Sequence, residues 1–122
     1  MSFKRQDKTF KKRLALKADR IRMTRAITNE IRYWDWAYLP EDINNGSCFD
    51  FATVVFELIA GCKIAGQNIG GVGHTWIEYK GRCYDAEVPE GVRNWLSLPF
   101  WKRLQEEMGI KEFNKALKKA TQ

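Results

Sequence analysis

The chain has 122 residues, 44% of them hydrophobic and 13% aromatic, which is enough to fill one core and excludes a disordered chain outside its ends. Its net charge of +6 is uneven: residues 1–26 hold ten Lys or Arg against Asp7 and Asp19, so the remainder is slightly acidic. No apolar run is long enough to span a bilayer, and the first residues are too charged for a secretory signal. Cys48, Cys62 and Cys83 are an odd number without a metal-ligand spacing, so they read as reduced thiols. The expectation is a cytoplasmic protein with no membrane contact, no metal and no cofactor.

Residues 1 to about 8 read as a frayed end. From Thr9 to about Trp36 the pattern predicts one long helix or two shorter ones. Leu16, Met23, Ile27, Ile31 and Trp34 fall near one face, and no Pro or Gly interrupts. Lys11, Lys12, Arg13, Lys17, Arg20, Arg22 and Arg25 surround that face. Such a surface either serves solubility or contacts nucleic acid or an acidic protein. No base-reading motif accompanies the charge. Tyr33, Trp34, Trp36 and Tyr38 then crowd together before Pro40 ends any helix.

Residues 45–61 read as a polar turn opening into a buried helix. Ser47 suits the N-cap, and Asp50 stands where a carboxylate completes a capping-box-like pair. Phe51, Val54, Val55, Leu58 and Ile59 have the spacing of a core-facing helix, and Gly61 fits a left-handed stop. Cys48 thereby takes the first helical position. A helix N-terminus stabilises a thiolate through the dipole and its unpaired N–H groups. A plain buried core thiol is the ordinary alternative.

Residues 62–73 are small and glycine-rich. With no Lys-Ser/Thr and no following helix they make a poor phosphate loop and a better flexible approach to a strand. Residues 73–87 predict a hairpin about Lys80–Gly81. A two-residue turn pairs Tyr79 with Arg82, Glu78 with Cys83, Ile77 with Tyr84, Trp76 with Asp85 and His74 with Glu87. His74, Trp76, Cys83, Asp85 and Glu87 then share a face, with Asp85 diagonal to His74 at about 7–8 Å between backbones. After Pro89 and Gly91, Trp95, Leu98, Phe100, Trp101, Leu104 and Met108 lead through a helix that stops near Gly109. Ile110, Phe113 and Leu117 mark a last amphipathic helix.

His74 is the one histidine of the chain. A cysteine at a helix N-terminus, a histidine on a strand and a carboxylate within its reach make a possible nucleophile, proton shuttle and orienting group. Glu87 is a fallback for Asp85. Cys83 lacks a helix dipole.

Gly-Ser-Cys-Phe-Asp-Phe-Ala around Cys48, Gly-His-Thr-Trp-Ile-Glu-Tyr around His74, and Tyr-Asp-Ala-Glu around Asp85 together resemble the core of the transglutaminase-like, papain-related cysteine protease superfamily. The likeness covers residues 46–87, about a third of the chain. It implies an α+β fold, with a papain-like or transglutaminase-like core in which a central helix packs on a small antiparallel sheet between flanking helices. The chain reads as a single transglutaminase-like domain over 1–122, and its basic N-terminal helical extension (about 1–36) has no counterpart in these motifs. Carried over, Cys48 resembles the nucleophile, His74 the general base and acid, and Asp85 the orienting carboxylate. The implied activity is cysteine-dependent acyl chemistry on a peptide or protein amide: protease, deamidase or transglutaminase type. The family's oxyanion donors are the Cys backbone N–H and an upstream group, here Trp36, Asn44 or Asn45. The segment between Cys48 and His74 is short for the family. NlpC-type peptidases share the Cys-on-helix, His-on-strand order but usually use a second His or another polar residue as third member, and this chain has no second His. The rival expectation is an inactive module of the same fold that binds nucleic acid or an acidic protein through residues 1–26.

Overall fold

The computed structural model describes residues 3–122, with side chains described from Lys8 onward. Its element order is α1 (Phe3–Ile31), α2 (Pro40–Asn44), α3 (Cys48–Leu58), β1 (Lys63–Ile69), β2 (Val72–Tyr79), β3 (Arg82–Tyr84), a 3-10 turn (Trp95–Ser97), α4 (Pro99–Met108) and α5 (Ile110–Ala120). The strands form one antiparallel sheet in the order β1-β2-β3, so the chain is an α+β fold.

Two apolar clusters lie against the sheet, and the alternation of side chains along β2 and β3 separates them. Ile77, Tyr79 and Tyr84 pack with Met23 and Ile27 of α1 and with Phe51, Ala52 and Val55 of α3. Trp76 and Cys83 pack with Trp101 and Leu104 of α4 and with Phe113 of α5. The helices therefore cover both faces. Burying Phe51 and Val55 of α3 stabilises by roughly 3–6 kcal/mol together. The guanidinium of Arg22 also lies 5.9 Å from the centroid of the Tyr79 ring and donates to its hydroxyl, tying α1 to β2.

The hairpin has the register derived from its turn. Ile77 pairs with Tyr84, Glu78 with Cys83 and Tyr79 with Arg82. Lys80 and Gly81 have φ of 49° and 79°, as a type I′ turn requires. Pairing then stops: β3 ends at Tyr84, so the expected Trp76–Asp85 and His74–Glu87 pairs do not form. From Val72 to Trp76, β2 pairs with β1 alone.

Several expectations need correction. The chain is helical from Phe3, so the frayed reading fails over 3–8; for residues 1 and 2 it lies outside the described residues. The first helix ends at Ile31, and the aromatic cluster after it runs through turns. Residues 63–69 form an edge strand paired with β2, where a flexible approach was expected. Gly70 and Gly71, with φ of 60° and 86°, turn that strand into its neighbour. In α3, Leu58 is 56% exposed, because the helix ends there and its last turn passes the edge of the core. Ser47 holds the N-cap position but makes no side-chain cap bond. Among the described residues no helix is long and apolar enough to cross a membrane.

Candidate active site

Cys48 opens α3, the helix over one face of the sheet, and its first-turn N–H groups receive no cap from Ser47. His74 projects from β2 toward the other face, where its ring stacks on Phe100 with centroids 4.2 Å apart and planes 10° from parallel. Trp76 and Trp101 flank the same ring at 6.0 Å each. These contacts fix the ring plane. Cysteine and histidine meet although α3 covers one face of the sheet and the His74 ring packs toward the other, at a level where β3 no longer pairs with β2. The gap beside β2 admits the start of α3.

The chain fills the rest of that gap with Asp85, the first residue after β3. Its Oδ2 lies 2.9 Å from His74 Nε2. Its Oδ1 accepts from the backbone N–H of Glu87 at 2.9 Å and of Val88 at 3.2 Å. The carboxylate is thus held at both oxygens, and both residues are under 5% exposed. An ionised Asp85 accepts only, so Nε2 carries the proton toward it. Nδ1 is the nitrogen left for the thiol. It is buried and forms no hydrogen bond, so sulfur and ring are in electrostatic contact without an aligned bond.

The electrostatics of the pair are mutual. Burial pushes the Cys48 thiol up, but the imidazole of His74 and hydrogen bonds from the backbone and side chain of Thr75 outweigh it, and the thiol ends below its ordinary value. Burial pushes His74 down, but the hydrogen bond to Asp85, the neighbouring Cys48 sulfur and the charges of both carry it above its ordinary value. The other cysteines differ. Burial raises Cys62, whose thiol donates to the Ile59 carbonyl at 3.1 Å. Burial and the charge of Glu78 push Cys83 up to about 11. Cys62 and Cys83 are buried, whereas Cys48 is half-exposed.

The three oxyanion candidates separate. Asn44 is buried and lines the void beside Cys48, together with Thr75 and Asp85. Its amide donates to Glu87 at 2.9 Å, however, and its free atom is Oδ1, an acceptor. Trp36 is 57% exposed, with its ring 6.2 Å from Trp34, and does not line that void. Asn45 is exposed at the end of α2. The fallback Glu87 is likewise excluded from the histidine: Arg103 binds both its oxygens at 2.7 Å and also pairs with Glu41 at 3.2 Å. The void itself has no room for a water molecule.

Sequence reasoning missed Thr75, Phe100 and Arg103 as neighbours of the site. Thr75 adjoins His74, and nothing in its type distinguished it. Phe100 carried only the periodic signal of core packing, and no local pattern links Arg103 to Glu87. Among the described residues, no cluster of three or more His, Cys, Asp or Glu side chains is arranged to hold a metal. No family model, curated protein or solved structure matches the chain.

Proposed function

We propose that the protein performs cysteine-dependent acyl chemistry on an amide, on a core of the papain-like, transglutaminase-like kind. The observation that carries this reading is the His74–Asp85 contact at 2.9 Å, with the other face of the imidazole system turned to a thiol at a helix N-terminus. Cys48 is the nucleophile. His74 Nδ1 takes the thiol proton, the sulfur attacks the amide carbonyl carbon, and the C–N bond breaks as His74 passes that proton to the leaving amine. The product is a thioester on Cys48. Water or a second amine then attacks that carbonyl, His74 takes the incoming proton, and the C–S bond breaks. Asp85 fixes the tautomer and favours the charged imidazole. The Cys48 backbone N–H is the first oxyanion donor. The second N–H of the Asn44 amide, beside the one given to Glu87, is the candidate for the other donor.

The test is covalent capture. An electrophilic peptide carrying a vinyl sulfone should add one equivalent to Cys48, as read by mass spectrometry of peptide fragments. Cys48→Ala should abolish labelling, and His74→Ala should slow it by at least about a hundredfold, the usual contribution of a general base. Labelling spread over the three cysteines, or untouched by His74→Ala, would contradict the proposal.

The closed void at Cys48 favours a second reading, a module of this fold that binds without chemistry. In that case Cys48→Ala would leave its binding intact and no thioester would form.

A further inference from the structure

We infer that a cationic groove between α1 and the β2–β3 hairpin binds the phosphate backbone of a nucleic acid strand. The groove stands apart from Cys48 and holds whether or not that thiol reacts. One cavity of about 440 Å³ is lined by Arg13, Lys17 and Arg20 from α1, by Lys80 and Arg82 from the hairpin, and by Arg93 from the segment after Gly91. Its lining includes no carboxylate. A second cavity, of about 510 Å³, shares Lys80, Arg82 and Arg93 and continues past Lys63 toward Trp95 and Asn94, adding a single carboxylate, Glu78. Lys80, Gly81, Arg82 and Arg93 border both cavities, so the two adjoin along the hairpin edge.

Three segments distant in sequence thus bring six cations to one depression. None of the six takes part in an ion pair among the described residues; those pairs use Arg22, His74 and Arg103. Like charges gathered with Glu78 of the adjoining cavity as the one carboxylate in either lining repel one another, and an anion in the groove relieves that repulsion. Four of the six are arginines, whose planar fork fits phosphate oxygens in pairs. The sequence assigned this charge to the first helix alone. The fold adds the hairpin and the Arg93 segment, so the helix becomes one wall of a groove.

The chemistry favours a phosphate strand over a protein. Protein interfaces are poor in charge at their centre, whereas charge lines this groove and Leu16 and Tyr84 supply its main apolar surface. Two adjoining cavities also exceed what one phosphate group fills. Half-buried Trp95 stands at their far end, where a base could rest against an indole.

The test is fluorescence anisotropy of the full chain with a labelled 20-nucleotide single strand, across a salt titration. Arg13→Gln, Lys17→Gln and Arg93→Gln are combined in one variant, since all three side chains are exposed and drawn from both walls. A control combines Lys102→Gln, Lys115→Gln and Lys118→Gln, equally exposed and equal in charge change, on α4 and α5. The groove variant should lose at least about tenfold in affinity at 0.1 M salt, and its log–log salt slope should fall by about two units, near 0.7 per lost contact. The control should bind within about twofold of wild type. Equal losses in both variants would reduce the effect to net charge and overturn the proposal. So would no oligonucleotide binding alongside tight binding of poly-glutamate, which would assign the groove to an acidic protein. Full competition by equimolar inorganic triphosphate would overturn the strand reading in favour of a small-phosphate site. Because Cys48 labelling is measured separately, failure here leaves the acyl-transfer reading untouched.

Discussion

At the residue scale, the charge of Asp85 raises His74, and through the imidazole it bears on Cys48. Asp85→Asn keeps the shape and removes the charge that raises His74. The imidazole should then lose its proton at lower pH, and the thiolate should lose part of its partner. NMR titration of the single histidine should show the His74 pKa fall on this substitution; an unchanged value would separate the carboxylate from the ring. The folded-state pKa of His74 is raised, so its charged form stabilises the fold fully below the unfolded value of 6.5, and that contribution disappears as pH rises through the folded value. The melting-temperature advantage of wild type over His74→Gln should therefore be largest below pH 6.5 and shrink above it. A difference independent of pH would mean that His74 contributes packing alone. Arg103 belongs to the same scale. It holds Glu87, which in turn holds Asn44, so Arg103→Ala leaves a largely buried carboxylate unpaired. The expected loss is roughly 2–3 kcal/mol in denaturant unfolding, while Arg103→Lys should recover part of it.

At the scale of elements, the hairpin was legible because its determinants are local. Lys80–Gly81 supplies two residues of positive φ, and the period of two then assigns every side chain to a face. The start of α3 was legible in position, with Cys48 as its first residue, but not in its capping, since Ser47 and Asp50 make none of the expected bonds with the helix end. β1 escaped notice because it is an edge strand. Gly66 lies in it, Gly70 and Gly71 follow it, and of its own side chains only Ile69 is fully buried, so no alternating apolar signal survives. The early end of β3 was equally hidden. Asp85 leaves the ladder to hold His74, and no turn residue announces it. The two side chains expected to lie within reach of each other are joined by a direct hydrogen bond of 2.9 Å, although the ladder pairs around them are absent. The segment after it depends on Gly91, which has φ of 78° and a position where an added Cβ would lie 2.6 Å from the Tyr84 ring. Gly91→Ala should cost about 3 kcal/mol, from left-handed strain plus overpacking, as measured by chemical denaturation. A loss under about 1 kcal/mol would show that this loop yields freely.

At the scale of the whole molecule, the sequence pattern placed apolar faces on the helices but could not say which side of the sheet each would cover. α1 and α3 share one face, and α4 and α5 share the other. His74 belongs to the second core and Cys48 to the edge of the first, so the site exists only where both layers meet past the end of β3. The partition also explains why Phe100 and Trp101, read as plain packing, surround the histidine. The basic N-terminal segment likewise changes meaning in the fold, since its charge joins that of a hairpin more than sixty residues away. The central claim is that sulfur, imidazole and carboxylate act as one unit. Iodoacetamide labelling rates of each cysteine against pH, in wild type and His74→Ala, test it most directly. Cys48 should react fastest, with a midpoint below the ordinary thiol value of 9.0 that moves upward in His74→Ala, while Cys62 and Cys83 stay slow. Slow labelling of Cys48 with a midpoint at 9.0, unmoved by the loss of His74, would contradict it.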